Sequence, residues 1–366
     1  MELIVFDKHM NRIGIIDGFT SLVWTRRNKA PGDFAMLLPY NDDKNGLLEA
    51  GNIVMQPGGN EAMQISFKRM SKNEIGLDEI EIKGYALTEW MGRRVLLNEI
   101  ITEDLEPVQI MRKMVEDTMT QPEDEARQFE NVVLGGEETL GDEAISYKSE
   151  EYPVMLDAVR ILMEDHDIGV RVETNQRTGL HSIVFFRGED KTAESAVPCI
   201  FSPEYENIAQ QNYIFSNENM RNMAYVKGEK KELTVGAEIT GADRREMHVS
   251  TTDINNNYTD ENGKEIKLTD EQVLEKMRER AEEEMAERIA EETFDGVITR
   301  AGQLRYKEDF DLGDKVTCIY KRWGLRVDAR IEEITETYQG EKRDIMILFG
   351  EGTPTLEKRI KQIARG

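Results

Sequence analysis

A pattern that occurs twice in this chain, once near each end, restricts the fold more than any other feature. In residues 47–84 an apolar residue precedes Gly51-Asn52, and in residues 310–350 an apolar residue precedes Gly313-Asp314. After each pair comes a β-rich run, and each repeat closes on an alternating strand that ends in glycine. In the first repeat the run is Ile53-Val54-Met55 and the closing strand contains Ile80, Ile82 and Gly84. In the second the run is Val316-Thr317-Cys318 and the closing strand contains Ile345, Ile347 and Gly350. We therefore predict one β-module used twice, with chance similarity of strand and turn residues as the competing explanation.

The charge balance argues against sequence-specific nucleic-acid binding. The 366 residues include 72 Asp and Glu against 47 Lys and Arg, which gives a net charge of −25. Such a chain repels phosphate rather than neutralising it. With 33% charged residues, the composition is that of a globular protein with room for two to four domains.

Apolar runs and cysteines indicate the compartment. No run approaches the roughly 20 apolar residues that span a bilayer, and the first ten residues lack the features of a signal peptide. We therefore expect synthesis in the cytoplasm and no membrane insertion. Two cysteines, Cys199 and Cys318, do not form a disulfide framework. We predict that both are reduced core residues, with a contact between them left open.

The first hundred residues predict a small antiparallel β-structure. Two β-rich runs, residues 3–6 and 12–16, flank a tight hairpin turn. Phe34, Met36 and Leu38 then alternate with their neighbours between two proline-containing turns. Together with the first repeat these runs give six or seven strands, which favours a barrel or a sandwich.

The middle of the chain changes period. Residues 103–119 have apolar residues at helical spacing, and the acidic residues 121–151 have almost no apolar periodicity, so we predict a helix and a mobile loop. A second helix begins at Pro153 and ends at His166-Asp167. Two strands near residues 168–172 and 182–187 complete an α+β insert.

The remaining segments predict strands and two further helices. They are neighbouring strands at 222–229 and 244–254, a charged helix from a capping box of Thr269 and Gln272 to about residue 292, and a basic helix at 355–364. The charged face of the first helix would suit a basic partner, but such faces are usually solvated.

A search for chemistry finds no catalytic motif. The four histidines, His9, His166, His181 and His248, have no partner at the spacing of a metal site. The chain also lacks a nucleophile elbow, a P-loop and a dinucleotide-binding glycine motif followed by a helix. We predict no catalytic, cofactor-binding or metal-binding residue and no cofactor.

One acidic cluster raises the alternative of calcium. Asp309, Asp311 and Asp314 place oxygen ligands near one another, but Leu312 and Gly313 interrupt the series and a bidentate Glu is missing. A polar turn that enters a strand is the favoured interpretation.

Several segments together resemble the tail-hub proteins of siphophages and prophages, of the siphovirus Gp37-like type. The N-terminal segments are MELIVFDKHMNRIGIIDGFTSLVWTRR and PGDFAMLLP, and the C-terminal segments are NMAYVKGE, RREMHVSTTDI, DFDLGDKV and RIEEITETYQGEKRDIMILFGEGTPTL. No single segment is diagnostic, and their common order makes the resemblance specific.

This resemblance implies a structural protein and not an enzyme: a homotrimeric baseplate hub at the tail tip of the virion, assembled in the cytoplasm of the bacterial host. Two tube-like β-barrels per subunit would form a pseudo-sixfold ring against the tail tube, with DNA passing only in transit. The implied partners are further copies of the chain, the distal tail protein, the tail tube, the tape-measure protein and tip or fibre proteins. Many relatives carry an enzymatic or fibre extension, and because this chain stops at Gly366 we expect no cell-wall-degrading role.

The predicted fold class is therefore α+β, mainly β, with two tube-like antiparallel β-barrel modules, an α+β insert and helical segments. The predicted divisions are 1–102 for the first module, 103–197 for the insert, 198–255 with 293–352 for the second module, 256–292 for a loop and charged helix, and 353–366 for a C-terminal helix.

Two other functions remain as alternatives: carbohydrate or receptor binding, and a cell-wall-degrading tail enzyme. Glycan binding predicts exposed aromatics on loops, whereas Trp24, Trp90 and Trp323 lie in or beside predicted strands and helices. An enzyme would need a cleft with a perturbed carboxylate pair. Within the hub hypothesis, three arginine pairs are candidates for contacts with acids of a neighbouring subunit: Arg26-Arg27, Arg93-Arg94 and Arg244-Arg245.

Overall fold

Strands dominate the chain, as the sequence predicts. The computed structural model describes residues 1–149, 151–236, 238–254, 257–259, 265–286, 288–298, 303–340 and 342–350. Strands make up 42% and helices 21%, so the α+β, mainly β class is confirmed. The predicted helix at 355–364 lies outside the described residues.

The strands are numbered in chain order. They are β1 (Leu3–Phe6), β2 (Arg12–Ile16), β3 (Ser21–Arg27), β4 (Asp33–Pro39), β5 (Ile53–Met55), β6 (Ala62–Lys72), β7 (Asp78–Ala86), β8 (Ile101–Leu105), β9 (Val132–Leu134), β10 (Ile145–Lys148), β11 (Gly169–Thr174), β12 (His181–Phe186), β13 (Asp190–Lys191), β14 (Ile200–Phe201), β15 (Ile208–Ser216), β16 (Met223–Gly228), β17 (Glu232–Gly236), β18 (Glu246–Thr251), β19 (Asn257–Thr259), β20 (Glu265–Lys267), β21 (Glu291–Ile298), β22 (Lys315–Tyr320), β23 (Leu325–Gln339) and β24 (Lys342–Phe349). The α-helices are α1 (Asp42–Leu47), α2 (Pro107–Val115), α3 (Met155–His166) and α4 (Asp270–Ala286).

The described residues divide into two compact units, the first formed by residues 1–212 and 294–350 and the second by residues 213–293. The main sheet runs in the order β15-β21-β24-β23-β3-β4-β7-β6-β5-β1-β2, and β22 pairs with β23, β13 and β14. Within the described residues this sheet does not close into a barrel. The predicted hairpin between β1 and β2 is confirmed, and the alternating Phe34, Met36 and Leu38 of β4 are buried.

The two sequence repeats have the same backbone hydrogen bonds. Gly51 and Gly313 both have positive φ, at 93° and 88°. The equivalent bonds are Gly51 N to Ile65 O at 2.8 Å and Gly313 N to Ile331 O at 2.9 Å, then Ile65 N to Asn52 O at 2.8 Å and Ile331 N to Asp314 O at 2.9 Å. The first strand of each repeat therefore enters its sheet through the same glycine turn.

Each repeat also contains a bulge at the same place. The β6–β7 register shifts between Ile65 and Phe67, and the β23–β24 register shifts between Ile331 and Glu333. With the bulges aligned, Ile80 and Ile82 correspond to Ile345 and Ile347, as the sequence predicts. Gly84 corresponds to Phe349 and not to Gly350, because Ile65 pairs with Gly84 and Ile331 pairs with Phe349. The glycine correspondence at the end of the repeat was therefore wrong by one residue.

The insert differs from its prediction at the first helix. Residues 101–105 form β8, which pairs with β10, so α2 begins only at Pro107. Proline suits the first helical turn, and Glu106 with Gln109 forms a capping box. A π-helical turn then continues to Thr120.

The prediction that residues 121–151 form one loop was wrong. Val132–Leu134 forms β9, which pairs in parallel with β12, and β10 pairs antiparallel with β8. Three consecutive apolar residues suffice for such a short strand, although they produce no visible period. The predicted strand pair after α3 is confirmed as β11 and β12.

The second unit packs α4 against a three-stranded sheet. The predicted neighbours β16 and β18 pair in parallel, and β17 pairs with the other side of β16. Buried residues of helix and sheet share one core: Ala224, Val226, Val249, Val273, Met277 and Ala281. The capping box is confirmed by bonds from Thr269 N to Gln272 Oε1 at 2.9 Å and from Gln272 N to Thr269 Oγ1 at 3.3 Å. The helix ends at Ala286, before the predicted end near residue 292.

Candidate assembly surface

The two repeats meet where β3 of the N-terminal half pairs with β23 of the C-terminal half. Seven residue pairs form this junction, from Arg27 opposite Glu333 to Ser21 opposite Gln339. Trp24 and Leu22 of β3 are buried, as are Ile334 and Tyr338 of β23. The junction is thus a continuous ladder with an apolar core on one face, and it makes one sheet from two modules.

A buried arginine connects three segments at this junction. Arg26 of β3 donates from Nε to Glu61 at 2.9 Å and from Nη1 to the Tyr306 hydroxyl at 2.7 Å and to Asp311 at 2.6 Å. Arg26 is 6% exposed, so its guanidinium is almost fully removed from water. Burial opposes the charge, but the neighbouring Glu61, Tyr306 and Asp311 raise the pKa of Arg26.

A second polar cluster ties the insert to the bulge of β23. Asp167, the left-handed residue that ends α3, accepts from Arg330 Nε at 2.8 Å and from Lys29 Nζ at 3.0 Å. Lys29 also approaches Glu332, the bulged residue, at 3.2 Å. Burial raises the pKa of Glu332, whereas Arg330 and Lys29 overcome the effect of burial and lower the pKa of Asp167. These ion pairs fix the bulge against the insert.

The first repeat leaves open the edge that the second repeat uses. Along one edge, β23 pairs first with β22 and then, past its bulge, with β3. On the equivalent edge β6 pairs with β5 before its bulge, and among the described residues no strand pairs with residues 67–72 on that side. Phe67 and Met70 are 41% and 59% exposed, whereas Glu336, which corresponds to Met70, is 1% exposed. The described part of β15 likewise ends the sheet order.

The predicted arginine contacts are made within the chain. Arg27 bonds Glu333 and Asp33, Arg93 bonds Glu89, and Arg244 bonds Glu246. Arg94 donates to the carbonyl of Arg127, and Arg245 donates to that of Asn217. Each of these arginines thus has a partner within the chain, and a contact with a neighbouring subunit stays a prediction.

The candidate ligands of calcium have other partners. Asp309 accepts from Arg305 N at 2.7 Å, and Asp311 pairs with Arg26. Asp314 accepts from Glu189 N, Lys191 Nζ and Asp311 N at 2.8–2.9 Å. These bonds support the polar-turn interpretation. Within the described residues no group of three His, Cys, Asp or Glu is arranged to hold a metal ion.

His181 is the buried histidine of the insert. Its Nδ1 lies 2.9 Å from Thr174 Oγ1, and the edge of its ring contacts Trp90. Burial lowers the pKa of His181 to about 4. A neutral, buried imidazole serves packing, and nothing in the sequence around His181 indicates its burial.

Both cysteines are free and buried in the core, as predicted. Burial raises the pKa of Cys199 to about 12 and also raises the pKa of Cys318. Cys199 directly precedes β14, whose Phe201 lies opposite Cys318 of β22. The tryptophans differ: Trp24 is buried, but Trp323 is 47% exposed on the turn between β22 and β23, where its ring contacts Tyr320.

No described helix combines the length and the apolar character that crossing a membrane requires. The open edge of β6 is not visible in the sequence. It emerges only when the two bulges are aligned, because the exposed part of β6 then corresponds to a covered part of β23.

Comparisons with known proteins give a consistent family. Three solved structures share the fold: a tail protein from Neisseria meningitidis MC58 (12% identity, 95% of this chain and 96% of that chain, TM-score 0.59), the 43 kDa tail protein of prophage MuSo2 from Shewanella oneidensis (13%, 95% and 97%, 0.57) and prophage tail protein gp18 from Listeria monocytogenes EGD-e (12%, 100% and 99%, 0.51). No curated protein matches the chain. The model of the siphovirus ReqiPepy6 Gp37-like protein family matches residues 2–351, and the chain therefore belongs to that family.

Proposed function

We propose that this protein is a structural component of a phage tail, a homotrimeric hub at the tail tip that joins the tail tube to the distal tip proteins. The observation that carries the proposal is the pair of equivalent β-modules joined edge to edge in one chain. Three such chains contain six modules, so a threefold ring presents a pseudo-sixfold face to a sixfold tube. In this ring the modules act as tube-like barrels.

The charge of the chain suits a channel for DNA. A net charge of −25 on each subunit repels phosphate, so DNA in transit does not adhere to the wall. The proposed partners are the distal tail protein, the tail tube, the tape-measure protein and tip or fibre proteins. Membership of the siphovirus family and the similarity to solved tail proteins support this role.

A structural role also fits the described polar clusters. The acids at the junction are neutralised by arginine or lysine, as in the pair of Asp167 with Arg330. A glycosidase needs two carboxylates that face each other across a cleft, one of them acting as an acid, whereas Glu332, whose pKa is raised, and Asp167 both pair with Lys29. We propose that the protein acts as a structural component and not as an enzyme.

The first test is the mass of the purified protein by light scattering during gel filtration. A trimer of the 42.1 kDa chain is expected. Serum raised against the protein should then label the distal end of isolated tails in electron micrographs. Label along the tail shaft, or at the head, would overturn the hub assignment even if the protein is trimeric.

Receptor or glycan binding is a second candidate, favoured by the exposed Trp323 beside Tyr320. Aromatic rings on a turn can stack on sugars or on other apolar surfaces. Binding to bacterial surface glycans that is lost in Trp323→Ala and kept in Trp323→Phe would support this candidate.

A further inference from the structure

Among the described residues, the pairing of β3 with β23 is not repeated at the two corresponding edges, which belong to β15 and β6. We infer that residues 208–212 of β15 in one copy add as a strand to residues 67–72 of β6 in the next copy. This rests on the proposed homotrimer and deepens it by naming the strands that join the subunits.

The equivalence of β15 with β3 follows from the strand order. The second module reads β15-β21-β24-β23-β22, and the first reads β3-β4-β7-β6-β5. The registers agree as well: Phe34 of β4 lies opposite Gly84, and Phe294 of β21 lies opposite Phe349, the residue that corresponds to Gly84. Each strand of one module therefore has a counterpart in the other, and the counterpart of β3 is β15.

The backbone of β6 presents its free groups to this edge. Asn73 N donates to Leu77 O at 2.9 Å, so within the alternating ladder Ser71 and Arg69 bond to β7. The N–H and C=O groups of Lys68, Met70 and Lys72 consequently point to the open side. In the second repeat, the N–H of Asn28 donates to Glu332 O at 2.9 Å, which gives β23 the same alternation toward β3.

A second copy of this chain is the occupant because it carries the required strand. An exposed edge with unpaired backbone groups is a template for another strand. The two edges lie on different strands of the chain, so each contact is heterologous, and with the threefold rotation of the proposed trimer such contacts close a ring. Three copies then contain three internal junctions and three junctions between subunits, all built in the same way.

Cysteine pairs test the contact directly. Ser71 corresponds to Thr337, at a position where the side chains of paired strands lie close. We would combine Ser71→Cys with Ala209→Cys, Gln211→Cys or Asn212→Cys. Positions 209 and 211 share one strand face and 212 lies on the other, so crosslinking should follow that period of two. Thr25→Cys with Thr335→Cys, whose native hydroxyls are 3.3 Å apart, is the control within one chain.

We expect covalent dimers and trimers on non-reducing gels, and only from cysteines on one face of β15: either positions 209 and 211 or position 212. A trimeric protein in which the control pair crosslinks, but in which no position of 209, 211 and 212 does, would overturn the inferred junction and leave the hub proposal standing. A monomer at every concentration would instead overturn the trimer itself.

A proline in β6 tests the hydrogen bonds. Met70→Pro removes an N–H that points to the open edge, and the N–H groups that bond to β7 all remain. Met70→Ala removes only the side chain. We expect trimer dissociation to become at least about tenfold easier for the proline variant than for the alanine variant. Tryptophan fluorescence reports whether the fold is kept. Two folded variants with equal trimer stability would contradict the strand pairing.

Discussion

At the scale of single residues, Arg26 is the position whose substitution should destabilise the protein most. Its guanidinium is buried at the junction of the two modules, where it pairs with the partly buried Glu61 and the more exposed Asp311. Each of its three side-chain nitrogens has a hydrogen-bond partner, and an unpaired buried charge would be costly. The stability of the junction therefore depends on this residue more than on any exposed salt bridge.

We predict that Arg26→Met lowers the free energy of unfolding by about 3–5 kcal/mol, because Glu61, whose side chain is only 15% exposed, is left without a cation. Urea titration of the purified variant measures the change. The matched control is Arg69→Met, whose side chain is 61% exposed and pairs with Glu81. That variant should change stability by less than about 1 kcal/mol. Equal losses in both variants would show that the buried cluster adds nothing beyond a surface pair.

His181 gives a prediction for pH. Its pKa is lowered to about 4 by burial, from 6.5 in the unfolded chain. Between these values the unfolded chain binds a proton that the folded chain rejects, so this contribution to stability is present above pH 6.5 and is lost as the pH falls toward 4. We expect the loss from this residue to reach about 2 kcal/mol at a pH near 5.

The measurement compares urea titrations of the wild type and of His181→Gln from neutral pH down to about pH 5, a range chosen to limit titration of carboxylates. Glutamine keeps a polar group near Thr174 and binds no proton. The variant should lose less stability with acidification than the wild type. Parallel curves for the two proteins would contradict a buried neutral imidazole.

At the scale of elements, the glycine turn that opens each repeat allows the cost of backbone strain to be measured separately from the cost of a steric conflict. Gly51 and Gly313 have nearly the same positive φ. A Cβ at Gly51 would have no neighbour within 4 Å, whereas a Cβ at Gly313 would lie 2.7 Å from the Phe186 ring. The backbone strain is common to both sites and the steric conflict belongs to one.

We predict that Gly51→Ala lowers the free energy of unfolding by about 1–2 kcal/mol, the cost of a left-handed residue with a side chain. Gly313→Ala should lose about 1–3 kcal/mol more, because Phe186 must move. Chemical denaturation measures both. Gly46→Ala, in α1 with open space around the glycine, is the control and should not destabilise. Equal losses at the two turns would contradict the difference in packing.

Elements whose apolar residues recur at a regular spacing could be predicted from the sequence. Elements that exist only because another strand pairs with them could not. The alternation of Phe34, Met36 and Leu38 was enough to predict β4. The short strand β9 has no period of its own and exists because β12 supplies its hydrogen bonds. The bulge at Glu332 is likewise invisible in sequence, since nothing local distinguishes it from an ordinary strand residue.

At the scale of the whole molecule, the tryptophans report on one compact unit. Trp24, Trp90 and Trp323 all belong to residues 1–212 and 294–350, and the second unit has its own core around Met277. Fluorescence therefore follows the first unit, while circular dichroism follows both. Two compact units need not unfold in one transition.

We predict that Met277→Ala destabilises the second unit by about 2–5 kcal/mol, through lost burial and the cavity left behind. The early part of the unfolding transition followed by circular dichroism should move to lower urea, with the fluorescence transition unchanged. Met36→Ala, a buried methionine of the first unit, is the reverse control. If Met277→Ala shifts both signals equally, the chain unfolds as one cooperative body.

The assembly surface could be predicted only in part. The repeat was visible because its glycines and isoleucines recur at similar spacing. The pairing that joins the halves was not, because Trp24 and Glu336 are opposite each other across some three hundred residues and no local pattern connects them. The open edge of β6 is defined by comparison with β23, so it required the structure.

The duplicated module also bears on how such a chain can change by descent. The turn glycines and the bulge are backbone features that both copies have kept, whereas Phe67 and Glu333 stand at equivalent positions with unlike side chains. In a chain with a single module, a substitution in the strand would alter every copy of that strand in an assembly. Here a mutation at Phe67 leaves Glu333 unchanged, so one module can acquire a new surface while the other module keeps its original one.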